Sequence, residues 1–157
     1  MQQDEKFMRE AIALAGKNAR SVTGGPFGAI IVKGGEVISA ASNSVTPDKD
    51  PTAHAEVNAI REACRKLDTF DLSGCTLYSS CEPCPMCLSA AYWAKVDKIY
   101  FAGSRVDAEE AGFSDAFIYD EFTKPISERS IPIEQILDKE GVAPFDEWRN
   151  NSDKVPY

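Results

Sequence analysis

Apolar residues recur along the first third of the chain at two spacings, which predict a helix followed by a hairpin. Between Asp4 and Ala19 they recur every three or four residues, which indicates one buried helix face. Ala29–Lys33 and Glu36–Ala41 are short apolar runs separated by two glycines, the pattern of a two-residue β-hairpin. We therefore expect a helix that packs against a strand pair.

Beyond a polar loop at Asn43–Thr52, helical and strand patterns alternate. We predict a helix with Thr52 as its N-cap, a strand, a second helix and another strand, at Ala53–Leu67, Thr76–Ser80, Cys84–Ala94 and Lys98–Ala102. The last third is predicted to contain two strand-sized pieces, a short helix and a polar tail, at Phe117–Tyr119, Ile131–Leu137, Pro144–Asn150 and Asn151–Tyr157.

A hairpin followed by strand–helix alternation indicates an α/β fold, with helices on both faces of a mixed sheet. The length of 157 residues fits one domain over the whole chain. No run approaches the ~18 apolar residues of a membrane span, and the mixed charge of Met1–Glu10 is unlike a signal peptide. We therefore expect a cytoplasmic or other reducing location and no membrane partner.

Charge and cysteine content narrow the class of partner. The formal net charge is −8, and residues 103–157 hold 13 acidic and 6 basic side chains. Because an acidic chain without a basic stripe matches a phosphate backbone poorly, we expect a small uncharged substrate and no nucleic acid. Five cysteines, an odd number, argue against a disulfide framework. We expect Cys64 and Cys75 to be buried apolar residues.

Three residues have the chemistry of a catalytic zinc site. Cys84 and Cys87 are three residues apart at a predicted helix start, where the helix dipole favours thiolate. His54 is the single histidine of the chain and falls at another predicted helix start. One imidazole and two thiolates leave a fourth zinc position for water, whose pKa zinc lowers towards about 7.

Glu56 is the predicted proton shuttle of this site. Two residues apart on a regular helix, His54 and Glu56 would diverge by ~200°. They can converge only if His54 lies in the very first turn. The carboxylate would take a proton from the water and deliver it to a ring nitrogen and the leaving amine.

Cys81 offers an alternative, because Cys81, Cys84 and Cys87 form two overlapping Cys-x-x-Cys pairs. With His54 they could close a structural site and make the chain a zinc-stabilised binding module. Cys81, however, directly follows a predicted strand and should not share the helical face. A carboxylate beside the histidine also has no use in a structural site.

Several segments of the sequence resemble those of a known protein family. Residues 50–56 and 80–87, with His-Ala-Glu and Pro-Cys-Pro-Met-Cys, resemble the zinc-dependent cytidine and deoxycytidylate deaminase superfamily. More narrowly, residues 24–29, 111–115 and 144–150 resemble the short bacterial guanine deaminases. The resemblance covers nearly the whole chain.

The resemblance implies a three-layer α/β/α sandwich around a five-stranded mixed sheet. It also implies one Zn²⁺ per subunit and hydrolysis of guanine to xanthine and ammonia. By position, His54, Cys84 and Cys87 match the metal ligands, Glu56 the shuttle, Asn43 a base-binding amide and Asp115 an acidic residue near the substrate. We also place Ala55 and Phe27 beside the base, although Phe27 would serve equally as a core residue.

The C-terminal segment is expected to act between subunits. The guanine deaminase branch is similar in forming a homodimer that exchanges such a segment, here residues 138–157, so we predict that Tyr157 helps cover the pocket. Guanosine, cytosine, cytidine and tRNA adenosine remain alternative substrates, because pocket shape decides among them. Against tRNA stand the negative charge and Cys81, a position where the tRNA branch more usually has an aliphatic residue.

Overall fold

The structure is a computed structural model that describes residues 2–157. Within that range the helices are α1 Gln2–Ser21, α2 Val45–Asp48, α3 Ala55–Leu67, α4 Pro85–Trp93, α5 Arg105–Glu110, α6 Ala116–Thr123 and α7 Asp138–Asn150, with a 3-10 turn at Ile126–Glu128. The strands are β1 Gly28–Lys33, β2 Glu36–Ser42, β3 Cys75–Cys81 and β4 Lys98–Gly103.

The strands form one mixed sheet in the order β2-β1-β3-β4. Strand β1 is antiparallel to β2 and β3, whereas β3 and β4 are parallel and are connected through α4. Lys33 pairs with Glu36, so Gly34 and Gly35 are the two turn residues, with φ of 58° and 84°. Positive φ at both turn positions matches the twist of the strands, and glycine adopts it without a steric penalty.

Helices cover both faces of this sheet. Alternate strand residues point to opposite faces, so neighbours in β1 belong to two different cores. Ile30 and Val32 pack with Phe7 and Ala11 of α1. Ile31 packs on the other face, in a cluster that includes residues of α3 and α4. The predicted α/β class with helices on both faces is thus confirmed.

The sheet has four strands within residues 2–157, so the five strands that the resemblance implies are a wrong prediction. Neither strand-sized piece of the last third forms a strand. Phe117–Tyr119 lies within α6, and Ile131–Leu137 has no regular structure up to its last residue, the N-cap of α7. A short apolar run does not distinguish a strand from a helical turn by its periodicity. In the second segment Pro132 also lacks the N–H that a strand pairing requires.

Several predicted boundaries also change. Residues 43–52 include the short helix α2, and Thr52 is not the cap of α3, because its hydroxyl donates to Asp50 Oδ1 at 2.7 Å. His54 is the N-cap instead. Helix α5 was not predicted, and α7 begins at Asp138 and contains Pro144.

The chain divides into two compact units. The first ends at Asp115 and contains the sheet, and the second is Ala116–Tyr157. The prediction of one domain over 1–157 stays a prediction. None of the helices between residues 2 and 157 is long and apolar enough to cross a membrane.

Candidate active site

Two helix starts meet in the first unit. His54 is the N-cap of α3 and Cys84 is the N-cap of α4, and both have extended backbone angles. Pro85 is the first residue of α4, where its missing N–H costs no helical bond. Cys87 is therefore one turn into α4, and the N-terminal ends of both helix dipoles favour thiolate here.

The ligand atoms of His54, Cys84 and Cys87 lie within 4.8 Å of one another. His54 Nδ1 is 3.5 Å from Cys84 Sγ and 3.4 Å from Cys87 Sγ. Tetrahedral zinc with ordinary Zn–N and Zn–S bonds separates nitrogen from sulfur by ~3.6 Å. The cluster therefore fits one zinc ion, as predicted.

The two thiols differ in their readiness to ionise. The hydrogen bond from Cys87 lowers the pKa of Cys84 to about 4, so Cys84 is a thiolate at neutral pH. The same interaction raises the pKa of Cys87, and the hydrogen bond to Cys84 raises that of His54. Both cysteines would hold a zinc ion as thiolates, since thiolate is the form that coordinates metal.

Glu56 lies beside the cluster and is 5% exposed. Its convergence with His54 is explained by the N-cap, because His54 stands outside the regular helix while Glu56 is its second residue. Cys87 Sγ lies 3.4 Å from Glu56 Oε2. Burial raises the pKa of Glu56 and so favours its protonated form.

Ser79 holds the other oxygen of this carboxylate and was missed by the sequence reasoning. Its hydroxyl donates to Glu56 Oε1 at 2.8 Å, and Ser79 is 1% exposed. Ser79 lies two residues after Leu77 on β3, so both point to the face covered by α3. A serine at an inward strand position was the signal that could have revealed it.

Asn43, which follows β2, is 7% exposed. Its side-chain oxygen accepts from the backbone N–H of Gly25 at 3.0 Å and of Val45 at 3.2 Å. The orientation of the amide is therefore fixed, because only the oxygen can accept from an N–H.

Asp115 is half-buried, and Cys81 is half-buried at the end of β3. Burial raises the pKa of Asp115, and so does the negative charge of Cys84, so this carboxyl is within electrostatic reach of the cluster. Burial also raises the pKa of Cys81 to about 11, and its Sγ lies 3.5 Å from Ser104 O. Among the described residues, the metal cluster does not include Cys81.

The remaining predicted site residues have different surroundings. Ala55 is fully buried as the first residue of α3. Phe27 packs against the core and meets Phe113 edge to face, with ring centroids 5.0 Å apart. Tyr157 is 75% exposed and belongs to the second unit.

Known proteins resemble this chain closely. Residues 1–103 match the family described as the cytidine and deoxycytidylate deaminase zinc-binding region. The guanine deaminase of Bacillus subtilis (strain 168) is 50% identical over 153 residues, which are 98% of each chain. An X-ray structure of guanine deaminase from that species has a TM-score of 0.95, again at 50% identity and 98% coverage of each chain.

A second branch is also similar. The tRNA-specific adenosine deaminase of Aquifex aeolicus is 48% identical over 120 residues, which are 76% of this chain and 78% of the relative. This likeness covers less of the chain than the likeness to guanine deaminase, which extends over both units. The chain therefore belongs to the cytidine and deoxycytidylate deaminase family, and its predicted resemblance to the short bacterial guanine deaminases is confirmed over nearly its whole length.

Proposed function

We propose that this protein hydrolyses guanine to xanthine and ammonia. One observation carries the reaction type: a buried carboxylate, Glu56, lies against a His-Cys-Cys cluster that fits zinc. A structural zinc site has no use for a buried carboxylate at its edge. The 50% identity to a guanine deaminase over 98% of both chains supports guanine as the substrate.

When bound by His54, Cys84 and Cys87, zinc would supply a water molecule activated as a nucleophile near neutral pH. Glu56 accepts a proton from the attacking water and passes it to the base. The purine gains the water oxygen at C2 and releases its amino group as ammonia. Ser79 keeps the carboxylate in one orientation through these transfers.

Asn43 and Asp115 would orient the base. Asn43 uses its oxygen on two backbone N–H groups, so its NH₂ is the group available to an acceptor on the purine. Asp115 would accept from a ring N–H or help move a proton to the departing amine. Ala55 and Phe27 would supply apolar contact to the ring.

A homodimer would cover apolar surface that the single chain leaves exposed. None of residues 116–157 is buried, and Ile131, Ile136, Phe145 and Tyr157 are 64–78% exposed. Exposed apolar surface on this scale marks an interaction site. We propose that a second copy covers it, with residues 138–157 exchanged and Tyr157 over the pocket. Light scattering should then give twice the chain mass of 17.2 kDa, and a monomer would contradict the proposal.

The tRNA-specific alternative remains disfavoured by charge. Phosphate contacts dominate affinity for nucleic acid, and a chain of net charge −8 repels phosphate.

The five cysteines are all free thiols, which supports the predicted reducing location.

Substrate choice is tested by ammonia release from guanine, guanosine, adenine, cytosine and cytidine, offered separately to the zinc-loaded protein. We expect release from guanine at a rate well above that from the other four. Preference for another base would overturn the guanine proposal while leaving the zinc chemistry intact. Release from none of them would overturn the proposed activity on bases and nucleosides.

A further inference from the structure

Asn18 is a buried amide on the core-facing stripe of α1. The other buried residues of that helix are Phe7, Ala11 and Ala15, and Asn18 continues their spacing with an exposed fraction of 6%. A polar group in such a position destabilises the fold unless hydrogen bonds compensate it. Its bonds therefore show what the amide is for.

All of these bonds leave the helix. Asn18 Nδ2 donates to Asn43 O at 2.7 Å and to Gly25 O at 2.9 Å, and Asn18 Oδ1 accepts from Thr23 Oγ1 at 3.0 Å. The amide thus joins α1 to the turn that precedes β1 and to the residue that follows β2. One side chain holds together two segments that lie 18 residues apart.

The same two segments fix the Asn43 side chain. Gly25 donates its N–H to Asn43 Oδ1, while Gly25 O and Asn43 O both accept from Asn18. Asn18, Gly25 and Asn43 therefore form a closed ring of hydrogen bonds. In the described part of the chain, Arg129 Nε is the one fully buried side-chain nitrogen or oxygen without a hydrogen bond. Asn43 Nδ2 makes no bond among those residues, so it is reached by solvent.

Close packing makes this ring specific to its sequence. A Cβ on Gly24 would lie 2.1 Å from Asn43 O and 2.9 Å from Asn18 Nδ2, so only glycine permits the approach. A Cβ on Gly25 would lie 3.1 Å from the Phe27 ring and 3.4 Å from Asn43 Cγ. A side chain at either glycine would therefore displace the atoms of the ring.

We infer that Asn18 is a positioning residue that sets the polarity of base recognition: by fixing Gly25 against Asn43, it makes Asn43 present a hydrogen-bond donor to the substrate. The inference rests on the proposed base-binding role of Asn43. It predicts that Asn43 donates a hydrogen bond to an acceptor on the base, which is a carbonyl oxygen or an unprotonated ring nitrogen. Asn18 orients that donor without contacting the base itself.

The test compares Asn18→Ala, Asn43→Ala and the double variant in steady-state ammonia release from guanine. Asn18→Ala should raise KM by ~5- to 10-fold with kcat within about twofold, the loss of one neutral hydrogen bond to the base in ground and transition states. Because Asn18 acts through Asn43, the double variant should match Asn43→Ala within about twofold. Multiplying effects would overturn the inference.

Ser39→Ala is the matched control. Ser39 is 2% exposed and donates to Ala59 O at 2.7 Å, so its removal also leaves a buried carbonyl without its side-chain donor. We expect it to lower the melting temperature without changing KM. An equal rise of KM in Ser39→Ala and Asn18→Ala would reduce Asn18 to a structural residue and overturn the inference.

Two further measurements keep the inference falsifiable. If Asn18→Ala does not fold, Thr23→Val decides: it removes the donor to Asn18 Oδ1 and should raise KM by ~2- to 3-fold, and an unchanged KM overturns the inference. If another base proves to be the substrate, the same variants are assayed with it. If no base is deaminated, crystal structures decide: an Asn18→Ala protein that keeps the 3.0 Å distance between Gly25 N and Asn43 Oδ1 contradicts the inference.

Discussion

The two units of this chain differ in how much of their apolar side-chain surface they bury. In the first unit the sheet is covered on both faces, and residues such as Ile30, Ile31 and Leu77 are almost completely buried. In the second unit none of residues 116–157 is buried, although its composition is rich in large apolar side chains. The first unit therefore holds the His-Cys-Cys cluster and Glu56 in a core of its own, whereas the second exposes apolar surface of the kind that marks an interaction site.

The largest effect should come from the first unit. Glu56→Gln keeps the size of the side chain and removes the proton carrier, so kcat for guanine should fall by ~10³-fold or more. Zinc content and melting temperature should stay at wild-type values. Glu62→Gln, an exposed carboxylate on the same helix, is the control and should keep full activity.

The same variant separates an enzyme from a binding module. A structural zinc domain has no proton to transfer, so its function would not respond to Glu56→Gln. If ammonia release by the variant equals that of the wild type, Glu56 is not the proton shuttle and the buried carboxylate needs another explanation.

The contrast between the units also explains what could be predicted from sequence. His54, Cys84 and Cys87 were identifiable because their residue types and spacing match zinc chemistry, and the structure brings all three together. Ser79 was not, because its role depends on the strand face that meets α3 and on a partner 23 residues away. Asn18 was not, since its partners lie in two turns whose approach only the tertiary fold creates.

The second unit shows where local pattern fails. The apolar triplet Phe117–Tyr119 is predicted to be strand-sized, yet this segment is helical. In the first unit a buried face imposes one periodicity on each element, so the predicted elements there were mostly found. Residues 116–157 have no buried face in the single chain. The spacing of their apolar residues therefore does not indicate which secondary structure they form.

Ser79→Ala tests how far the buried carboxylate depends on its support. The variant removes the donor to Glu56 Oε1, and hydrogen bonds to a charged group are worth about 1.5–3 kcal/mol. If all of that energy acts in the transition state, kcat should fall by ~10- to 100-fold with little change in KM. Ser39→Ala again serves as the buried-serine control. Equal turnover in both variants would mean that Glu56 is positioned without Ser79.

Deletion of residues 154–157 tests the second unit with a smaller expected effect. If Tyr157 covers the pocket, kcat/KM for guanine should fall by ~3- to 10-fold while zinc content stays constant. Tyr157→Phe is the companion variant, since it keeps the ring and removes only the hydroxyl. Unchanged guanine turnover in the truncated protein would leave the C-terminal segment without a role at the site.

The smallest effect concerns a carboxylate of the second unit. Lys124 Nζ lies 2.6 Å from Glu121 Oε1, and Ser130 donates its backbone N–H to Glu121 Oε2 and its hydroxyl to Oε1. These bonds, that of Lys124 first, lower the pKa of Glu121 from 4.5 to about 2. A pKa that is lower in the folded state means stability that is fully present above pH ~4.5 and is lost as the pH falls through about 2.

One tryptophan in each unit makes that effect measurable. Trp93 belongs to α4 and Trp148 to α7, so in a Trp93→Phe background fluorescence reports the second unit alone. Glu121→Gln should lower the urea midpoint slightly at pH 7, and the difference from the parent should shrink below pH ~4.5 and vanish only below pH ~2. Glu134→Gln, another exposed carboxylate of this unit, is the control. A difference that grows as the pH falls would contradict a lowered pKa. It would mean that the ionised form of Glu121 does not stabilise the fold.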